Sequence, residues 1–268
     1  MTDKVQWQRL RRAAISMLAG IAALTGAGGP HASAEETTRI AVEGGFPPFN
    51  YLDSAGELKG FDIEIANALC EAAALRCELA THKWTEMIPD LIDNKIDAVI
   101  SSMSITAERR EKVAFTKAYY NSPSSYVVRK GAGVTAVDAA TLKDLKLGVT
   151  LETSQAAYIK SQYGQSFSAQ LFANSPELYK GLAEGKVDII LEDKLAVYDW
   201  LTNTKEGACC TFVGVDVSDP AYFGEGAGIA VRKEDEELRN KFNKALDTIV
   251  EDGTFDMINA KYFPFSIR

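Results

Sequence analysis

Residues 87–100 (MIPDLIDNKIDAVI) and residues 178–191 (LYKGLAEGKVDIIL) follow one pattern. In both, the end of a helical stretch leads to a turn residue, Asn94 or Gly185, and then to Lys, a β-branched residue, Asp and three apolar residues. The repetition predicts two equivalent helix-to-strand units, although such a turn-and-strand pattern also recurs by chance in α/β proteins.

Polar residues come directly after both predicted strands. Ser101 and Ser102 follow the first strand, and Glu192 and Asp193 follow the second. Open α/β sheets bind ligands outside the carboxyl ends of their strands. These positions make Ser101, Ser102 and Asp193 candidate ligand-binding residues, although serine and aspartate also form turns and helix caps at such places.

The rest of the chain continues the alternation of short apolar runs and helical stretches, which predicts an α/β fold. Residues 39–42 form the first predicted strand. Residues 61–74 are predicted to form an amphipathic helix, with Asp62 placed to cap its start. A further helical pattern covers residues 237–263 and is expected to pack against the N-terminal part of the chain.

Two breaks in the apolar periodicity predict the domain organisation. They lie at residues 119–125 and near Asp219-Pro220, where proline and glycine favour loops. A chain that crosses between lobes at both breaks forms a two-lobed α/β fold with two hinge crossings. The predicted first lobe comprises residues 35–122 and 223–268, and the predicted second lobe comprises residues 123–222.

The first 34 residues have the features of a secretory signal peptide. Lys4 and three arginines form a positive start, residues 13–27 are mostly apolar, and Ala32-Ser33-Ala34 offers a small-residue cleavage site. We expect cleavage after Ala34 and a periplasmic protein. A membrane anchor is the alternative, but the apolar stretch is short of the roughly 20 residues that span a bilayer.

Charge and cysteine content narrow the function classes. The chain has 37 acidic and 29 basic residues, a net charge of −8, which argues against nucleic-acid and anionic-lipid partners. Cys70 and Cys77 form a credible disulfide, whereas adjacent Cys209 and Cys210 are not expected to form an unstrained bridge with each other easily. Four cysteines allow three connectivities, and all three stay open. The cysteine spacing and the single histidine after residue 34, His82, do not suit zinc, so no metal or cofactor is expected.

Several stretches together resemble one known family. They are EGGFPPFN (43–50), GFDIEIANALC (60–70), WTEMIPDL (84–91), IDAVISSMSIT (96–106), GVTLETSQ (148–155), LEDKLA (191–196) and DGTFDMINAKYF (252–263). The chain resembles the polar amino-acid-binding proteins of bacterial ABC uptake systems, especially the lysine/arginine/ornithine, histidine and opine binders. The resemblance implies the type II periplasmic binding protein fold, hinge closure on an amino acid and a membrane permease as partner. We also expect a monomer.

An amino acid carries a carboxylate and an ammonium, and a dry cleft must pair each charge. The planar guanidinium of Arg109 suits the carboxylate. The resemblance assigns Arg109 that role, with help from Ser104, Ser154 and Gln155. Asp193 is expected to pair the ammonium, with Ser101 or Ser102 accepting further hydrogen bonds from it. The alternatives are a solvated Arg109 in a mixed charge run and a helix-capping Asp193.

Specificity is expected to come from the first lobe. Glu43 ends the first predicted strand and Asp62 opens the first helix, so both carboxylates could meet a cationic group at the far end of the ligand. That arrangement favours arginine, lysine, ornithine, histidine or an opine. The alternatives are a capping role for Asp62 and a solvated strand end for Glu43.

Phe46 and Trp84 could sandwich the ligand side chain, because an aromatic face attracts a cation, or they could belong to the core. Trp84 and Glu43 resemble the branch that binds opines such as octopine and nopaline. The serine pair and Asp193 resemble the amino-acid branch, and Asp193 would repel the additional carboxylate of an opine. A free cationic amino acid is therefore the favoured ligand.

Two other function classes stay open. Periplasmic dehydratases and peptidoglycan lyases share this architecture, and Glu43 and Asp62 could form an acid/base pair. The sequence contains none of the common hydrolase, metalloprotease or nucleotide-binding motifs, so we expect no enzyme activity. A sensor that binds the same ligand is the second class. A receptor fused to a membrane segment is disfavoured because no transmembrane segment follows residue 34, whereas a separate signalling partner stays open.

Overall fold

The computed structural model describes residues 37–164 and 169–268. The predicted signal peptide, residues 1–34, lies outside the described residues. The strands are β1 (Thr38–Val42), β2 (Gly45–Phe46), β3 (Asn50–Leu52), β4 (Leu58–Lys59), β5 (Cys77–Thr81), β6 (Ala98–Val99), β7 (Ala114–Phe115), β8 (Ser124–Arg129), β9 (Leu147–Thr150), β10 (Gln170–Phe172), β11 (Ile189–Asp193), β12 (Cys210–Val217) and β13 (Ala230–Val231).

The helices alternate with these strands along the chain, which confirms the α/β class. They are α1 (Phe61–Ala72), α2 (Met87–Ile92), α3 (Ala107–Arg110), α4 (Ala139–Leu142), α5 (Ser154–Tyr163), α6 (Ser175–Ala183), α7 (Lys194–Asn203), α8 (Pro220–Phe223), α9 (Glu236–Glu251) and α10 (Thr254–Tyr262). Short 3₁₀ turns cover Trp84–Glu86 and Gly207–Cys209.

Two five-stranded sheets carry the fold, with spatial orders β5-β1-β6-β13-β7 and β10-β9-β11-β8-β12. In each sheet the first three strands are parallel, and the last two are antiparallel to their neighbours. The repeated sequence pattern supplies β6 in one sheet and β11 in the other, both at the third position. The two predicted helix-to-strand units are therefore equivalent, as expected. A third, small sheet consists of β2, β3 and β4.

Apolar side chains cover both faces of each large sheet, as parallel strands require. On the first sheet, α1, α9 and α10 pack over one face and α2 over the other, with Phe61, Phe242 and Met87 fully buried. On the second sheet, α6 and α7 cover one face and α5 the other.

The first sheet takes its strands from residues 38–115 and 230–231, and the second from residues 124–217. The exact lobe boundaries stay a prediction.

The C-terminal helical pattern is confirmed as two helices rather than one. Between α9 and α10 the chain turns at Gly253, whose φ of 83° lies in the left-handed region that glycine adopts without steric cost. Both helices contact α1. They therefore pack against the N-terminal part of the chain, as expected.

Cysteine pairing agrees with one expectation and differs from another. Cys70 and Cys77 form a disulfide with 6.2 Å between their Cα atoms, which joins the last part of α1 to the start of β5. Cys209 and Cys210 are also bonded to each other, a pairing that the sequence did not favour. Here the backbone leaves a 3₁₀ turn at Cys209 and enters β12 at Cys210, and this change of direction brings the two sulfurs together.

Candidate functional site

A cavity lies where residues that follow the strands of both large sheets meet, and we call it the cleft. It is lined by Glu43, Phe46, Trp84, Ser101, Ser102, Ser104, Arg109, Thr150, Thr153, Ser154, Gln155, Ser175, Glu192 and Asp193. Ten of the eleven residues that the sequence predicts to bind the ligand line this cavity, and Asp62 is the exception.

The topology explains why these residues converge. In the first sheet, Glu43 follows β1, Trp84 follows β5, and the Ser101-Ser102 pair follows β6. In the second sheet, Thr150 ends β9, Ser175 follows β10, and Asp193 ends β11. The three parallel strands of each sheet thus direct their carboxyl ends to the cleft, where open α/β sheets bind ligands.

Arg109 supplies a buried positive charge to the cleft. It is 8% exposed, and Thr106 caps the short helix α3 that carries it. Its guanidinium donates to the carbonyl oxygen of Ser104 at 3.0 Å and to that of Glu152 at 3.2 Å, and lies 5.0 Å from the ring of Trp84. Burial lowers the pKa of Arg109 to about 10, so it stays charged at neutral pH. No carboxylate of the described residues forms an ion pair with it.

Opposite Arg109, the start of α5 offers neutral polar groups. Ser154 donates to the amide oxygen of Gln155 at 3.2 Å, and the amide nitrogen of Gln155 donates to Ser124 at 3.0 Å. The Thr150 hydroxyl is buried and makes no hydrogen bond with the described part of the chain. A helix N-terminus next to the unused hydroxyl of Thr150 favours an anionic group, and so does the positive charge of Arg109.

Asp193 is both a helix cap and a cleft residue. Its Oδ1 atom accepts hydrogen bonds from the backbone nitrogens of Leu195 at 2.9 Å and Ala196 at 3.1 Å, and from the Ser122 hydroxyl at 2.9 Å. The capping alternative is therefore confirmed. All of these bonds use Oδ1, so Oδ2 is available to a cation in the cleft. Burial raises the pKa of Asp193 to about 6.

Asp62 lies behind the cleft and not in its wall. Its fully buried carboxylate accepts hydrogen bonds from Tyr119 at 2.7 Å, Asn50 at 2.7 Å and Ser102 at 2.8 Å. Three protein donors use this carboxylate, and its expected direct contact with a ligand stays a prediction. The capping alternative is wrong, since Gly60 takes the N-cap position of α1. Asp62 instead fixes the orientation of Ser102.

Glu43 is the acid of the first sheet that does face the cleft. Its backbone nitrogen donates to Ser101 at 2.9 Å, while its carboxylate makes no hydrogen bond with the described residues. Burial raises the pKa of Glu43 to about 7. Phe46 lines the cleft beside it and stacks on Phe49 at 5.4 Å between ring centroids. Trp84 donates through its indole nitrogen to the carbonyl oxygen of Glu152 at 3.2 Å.

Four residues of the cleft are not among the ligand-binding residues predicted from the sequence: Thr150, Thr153, Ser175 and Glu192. All of them lie at or just beyond the carboxyl ends of the parallel strands of the second sheet. Open α/β sheets bind ligands at the carboxyl ends of their strands, so the carboxyl ends of β9 and β10 are the sequence signal for the two threonines and the serine. The signal for Glu192 is its position directly before Asp193.

Comparison with known proteins agrees with this geometry. Residues 38–265 match the family described as bacterial extracellular solute-binding proteins, family 3. The chain belongs to this family. Among its relatives in the family are the L-arginine-binding protein of Pseudomonas aeruginosa, 38% identical over 93% of this chain and 96% of the relative, and the lysine/arginine/ornithine-binding periplasmic protein of Escherichia coli, 34% identical over 95% and 96%.

Solved structures show that this family 3 solute-binding protein has the two-lobed α/β fold of periplasmic amino-acid-binding proteins. An ancestral arginine-binding protein bound to arginine superposes with a TM-score of 0.77 at 34% identity, covering 85% of this chain and 98% of that chain. An ancestral amino-acid-binding protein that is a precursor of cyclohexadienyl dehydratase superposes with a TM-score of 0.74 at 27% identity, covering 85% and 95%.

Two further features are absent from the residues that the structure describes. Within residues 37–164 and 169–268, no cluster of His, Cys, Asp or Glu side chains is arranged to hold a metal ion. No helix in those ranges is both long and apolar enough to cross a bilayer. His82 contacts Asp90 at 3.2 Å and lies outside the cleft wall.

Proposed function

We propose that this protein is the extracytoplasmic solute-binding component of an ABC transporter and that it captures a free cationic amino acid in the cleft. The observation that carries the proposal is the charge distribution of the cleft. Arg109, a buried cation without an ionic partner in the described residues, faces the same cavity as the carboxylates of Glu43 and Asp193. An amino acid with a cationic side chain supplies the complementary charges.

The ligand carboxylate binds Arg109, the start of α5 and the unused hydroxyl of Thr150. The ammonium binds the free Oδ2 atom of Asp193. The aliphatic part of the side chain lies against Trp84 and Phe46, and its terminal cation reaches Glu43. Each charge is then paired, which a water-poor cleft requires.

Ligand binding drives closure because the ligand contacts both halves of the cleft. Arg109 and Glu43 belong to the segments of the first sheet, and Asp193 and Thr150 belong to the second. A ligand shifts an open–closed equilibrium only through interactions that differ between the two states, and contacts made to both halves at once exist only in the closed state. We place the hinge crossings at the predicted lobe boundaries, after residues 122 and 222.

The names of the relatives support the cationic ligand class. Two of them bind arginine or the set lysine, arginine and ornithine, and the superposed ancestral protein holds arginine. The periplasmic and ABC-transporter relatives also support a periplasmic protein that delivers its ligand to a membrane permease. We further propose that it acts as a monomer and that the signal peptide is removed after Ala34.

An opine is the second candidate, and one observation favours it. A second cavity adjoins the cleft, shares Glu43 and Trp84 with it, and extends to Thr81, His82 and Asn174. This space suits a ligand longer than a free amino acid. Against it, the additional carboxylate of an opine on its ammonium nitrogen would lie close to Asp193, and like charges repel in a low-dielectric cleft.

The enzyme alternative draws on the dehydratase precursor among the superposed structures. Of its proposed acid/base pair, only Glu43 faces the cleft, because the carboxylate of Asp62 is held by three protein donors. We therefore propose binding without turnover.

Isothermal titration of the ligand-stripped protein tests the proposal. The panel comprises arginine, lysine, ornithine, histidine, glutamine and octopine, and the compounds recovered afterwards are checked for chemical change. Micromolar or tighter binding of a cationic amino acid that is recovered unchanged, about −8 kcal/mol or better, is the expected result. Binding of octopine alone would establish the opine alternative, and conversion of a compound would establish an enzyme.

A further inference from the structure

Glu192 is a buried acid that the proposed ligand contacts have not used. It is the penultimate residue of β11, is 3% exposed and lines the cleft. Its Oε2 atom accepts from the Ser175 hydroxyl at 2.9 Å, and its Oε1 atom accepts from the backbone nitrogen of Asp193 at 2.8 Å. Both donors are neutral, and no lysine or arginine of the described chain forms a salt bridge with it. Glu192 is thus a positioned carboxylate without a counter-ion.

Glu43 faces Glu192 across the cleft and has no counter-ion in the described residues either. The two side chains line the same cavity but come from different sheets. Strand β2, two residues after Glu43, contacts α6, whose first residue Ser175 holds Glu192. The pKa of Glu192 rises to about 8 through burial first and then through the charges of Asp193 and Glu43. The shared cavity and the contact between β2 and α6 place the two acids in the same part of the cleft.

We propose that Glu192 is a second acidic recognition residue, and that together with Glu43 it forms a cross-cleft carboxylate pair that binds the terminal cation of the ligand. This inference rests on the proposed function and deepens it. It assigns the terminal group to both halves of the cleft instead of to the first lobe alone.

A carboxylate pair of this kind selects a guanidinium. The guanidinium is planar and presents five N–H donors along several edges, so one edge can bind Glu43 while another binds Glu192. A primary ammonium has only three donors about one compact centre and cannot bind two carboxylates bidentately. Glu192 therefore raises the preference for arginine over lysine and ornithine.

The surroundings of the pair also predict proton release on binding. The other ionisable groups near it are Asp193 on the same strand, Tyr179 of α6, Asp62 behind Ser102, and Arg109 of α3, while His82 and Lys83 line the adjoining cavity. Acids predominate, so the empty cleft retains a proton on the pair. When the guanidinium arrives, a carboxylic O–H bond breaks, the carboxylate binds the cation, and the proton leaves to solvent.

Titrations of arginine and lysine into the wild type, Glu192→Gln and Glu177→Gln test this inference. The amide of Glu192→Gln keeps the size of the side chain and an acceptor for Asp193. Glu177 is an exposed acid two residues after Ser175, so Glu177→Gln removes the same charge without touching the cleft. Each titration is run at pH 7.5 in two buffers with different ionisation enthalpies, which measures the protons released.

For Glu192→Gln we expect arginine affinity to fall at least 10-fold, lysine affinity to fall less than 3-fold, and proton release to decrease. Glu177→Gln should match the wild type. An unchanged arginine-to-lysine ratio and unchanged proton release in Glu192→Gln would overturn the inference, whereas failure of the wild type to bind either ligand would overturn the proposed function. If Glu192→Gln does not fold, Glu192→Asp, which withdraws the carboxylate by one methylene, must show the same loss of preference.

Discussion

The indole nitrogen of Trp84 donates a hydrogen bond to the backbone carbonyl oxygen of Glu152 at 3.2 Å. Trp84 follows β5 in the first sheet, and Glu152 follows β9 in the second. Arg109 donates to the same carbonyl oxygen, also at 3.2 Å. Two residues on the first side of the cleft are therefore joined to one carbonyl on the second side, and these bonds exist only when the two sides are close together.

Trp84→Phe should weaken amino-acid binding by about 3- to 10-fold, because it removes one hydrogen bond of the closed form, about 0.5–1.5 kcal/mol, and keeps the aromatic face. Trp84→Ala should weaken it further, since the cation–π contact with Arg109 is lost too. Titration calorimetry of the three proteins gives the comparison. Equal affinities for the wild type and Trp84→Phe would show that the hydrogen bond does not contribute to ligand-bound closure.

Arg109→Lys should reduce affinity by about 1.5–3 kcal/mol, because lysine keeps the charge but loses one of the two hydrogen bonds that the planar fork can donate to a carboxylate. The matched control is Arg110→Lys, at an exposed neighbour that pairs with Glu225 at 2.9 Å outside the cleft. Both variants are titrated with the ligand that binds the wild type. A loss of similar size in the two variants would mean that Arg109 has no specific contact with the ligand.

Asp193→Asn and Asp193→Ala separate the two roles of Asp193. Asparagine caps helices about as well as aspartate, so Asp193→Asn should retain stability and lose the charge that binds the ammonium, about 2–5 kcal/mol of affinity. Asp193→Ala should lose the affinity and, in addition, about 1 kcal/mol of stability through the cap of α7. Thermal unfolding and calorimetry are measured on both. Undiminished affinity in Asp193→Asn would remove Asp193 from the ligand contacts.

Sequence periodicity was sufficient for the fold class, because the spacing of apolar residues determines which face of each helix and strand is buried. The repeated pattern found β6 and β11, and the strand-end rule then led to Ser101, Ser102 and Asp193. The same rule does not distinguish Glu192 from an ordinary solvent-exposed acid at the end of a strand. Its role depends on Ser175 and Glu43, which are distant in sequence, and only the folded chain brings them together.

Asp62 and the second cysteine pair show the same limit. A carboxylate in the first turn of a helix predicts a cap or a site, but the donors Asn50, Ser102 and Tyr119 that occupy it come from three other parts of the chain. The bond between Cys209 and Cys210 depends on the backbone direction at one turn. Local propensity does not determine either feature, because tertiary contacts do.

Replacement of Cys70 and Cys77 by alanine should lower the free energy of unfolding by about 2 kcal/mol, because the disulfide closes a short loop in the unfolded chain. Affinity for the ligand should change less than 2-fold. The bridge is attached at the start of β5, whereas the cleft residue Trp84 follows the opposite end of that strand. Urea unfolding and titration calorimetry measure the two quantities. A large loss of affinity in a folded double variant would contradict the separation of the bridge from the cleft.

The ligand-free protein should become less stable as the pH rises from about 5 to 8. Burial raises the pKa of Glu192 to about 8 and that of Glu43 to about 7 in the folded protein, both above the ordinary glutamate pKa of 4.5. In this pH range the folded state therefore holds protons that the unfolded state has released. Stability falls with pH when the folded state binds more protons, by at most about 1.4 kcal/mol per pH unit for each group.

Urea unfolding of the ligand-stripped wild type, Glu192→Gln and Glu177→Gln at pH 5, 6, 7 and 8 measures this dependence. Glu192→Gln has no proton to retain at that position, so its stability should fall less steeply than that of the wild type, and the difference between the two should change most between pH 6 and 8. Glu177→Gln should follow the wild type because its side chain is exposed. Parallel curves for the wild type and Glu192→Gln would show that Glu192 is ionised in the empty cleft, and the proton held there would then have to lie on Glu43.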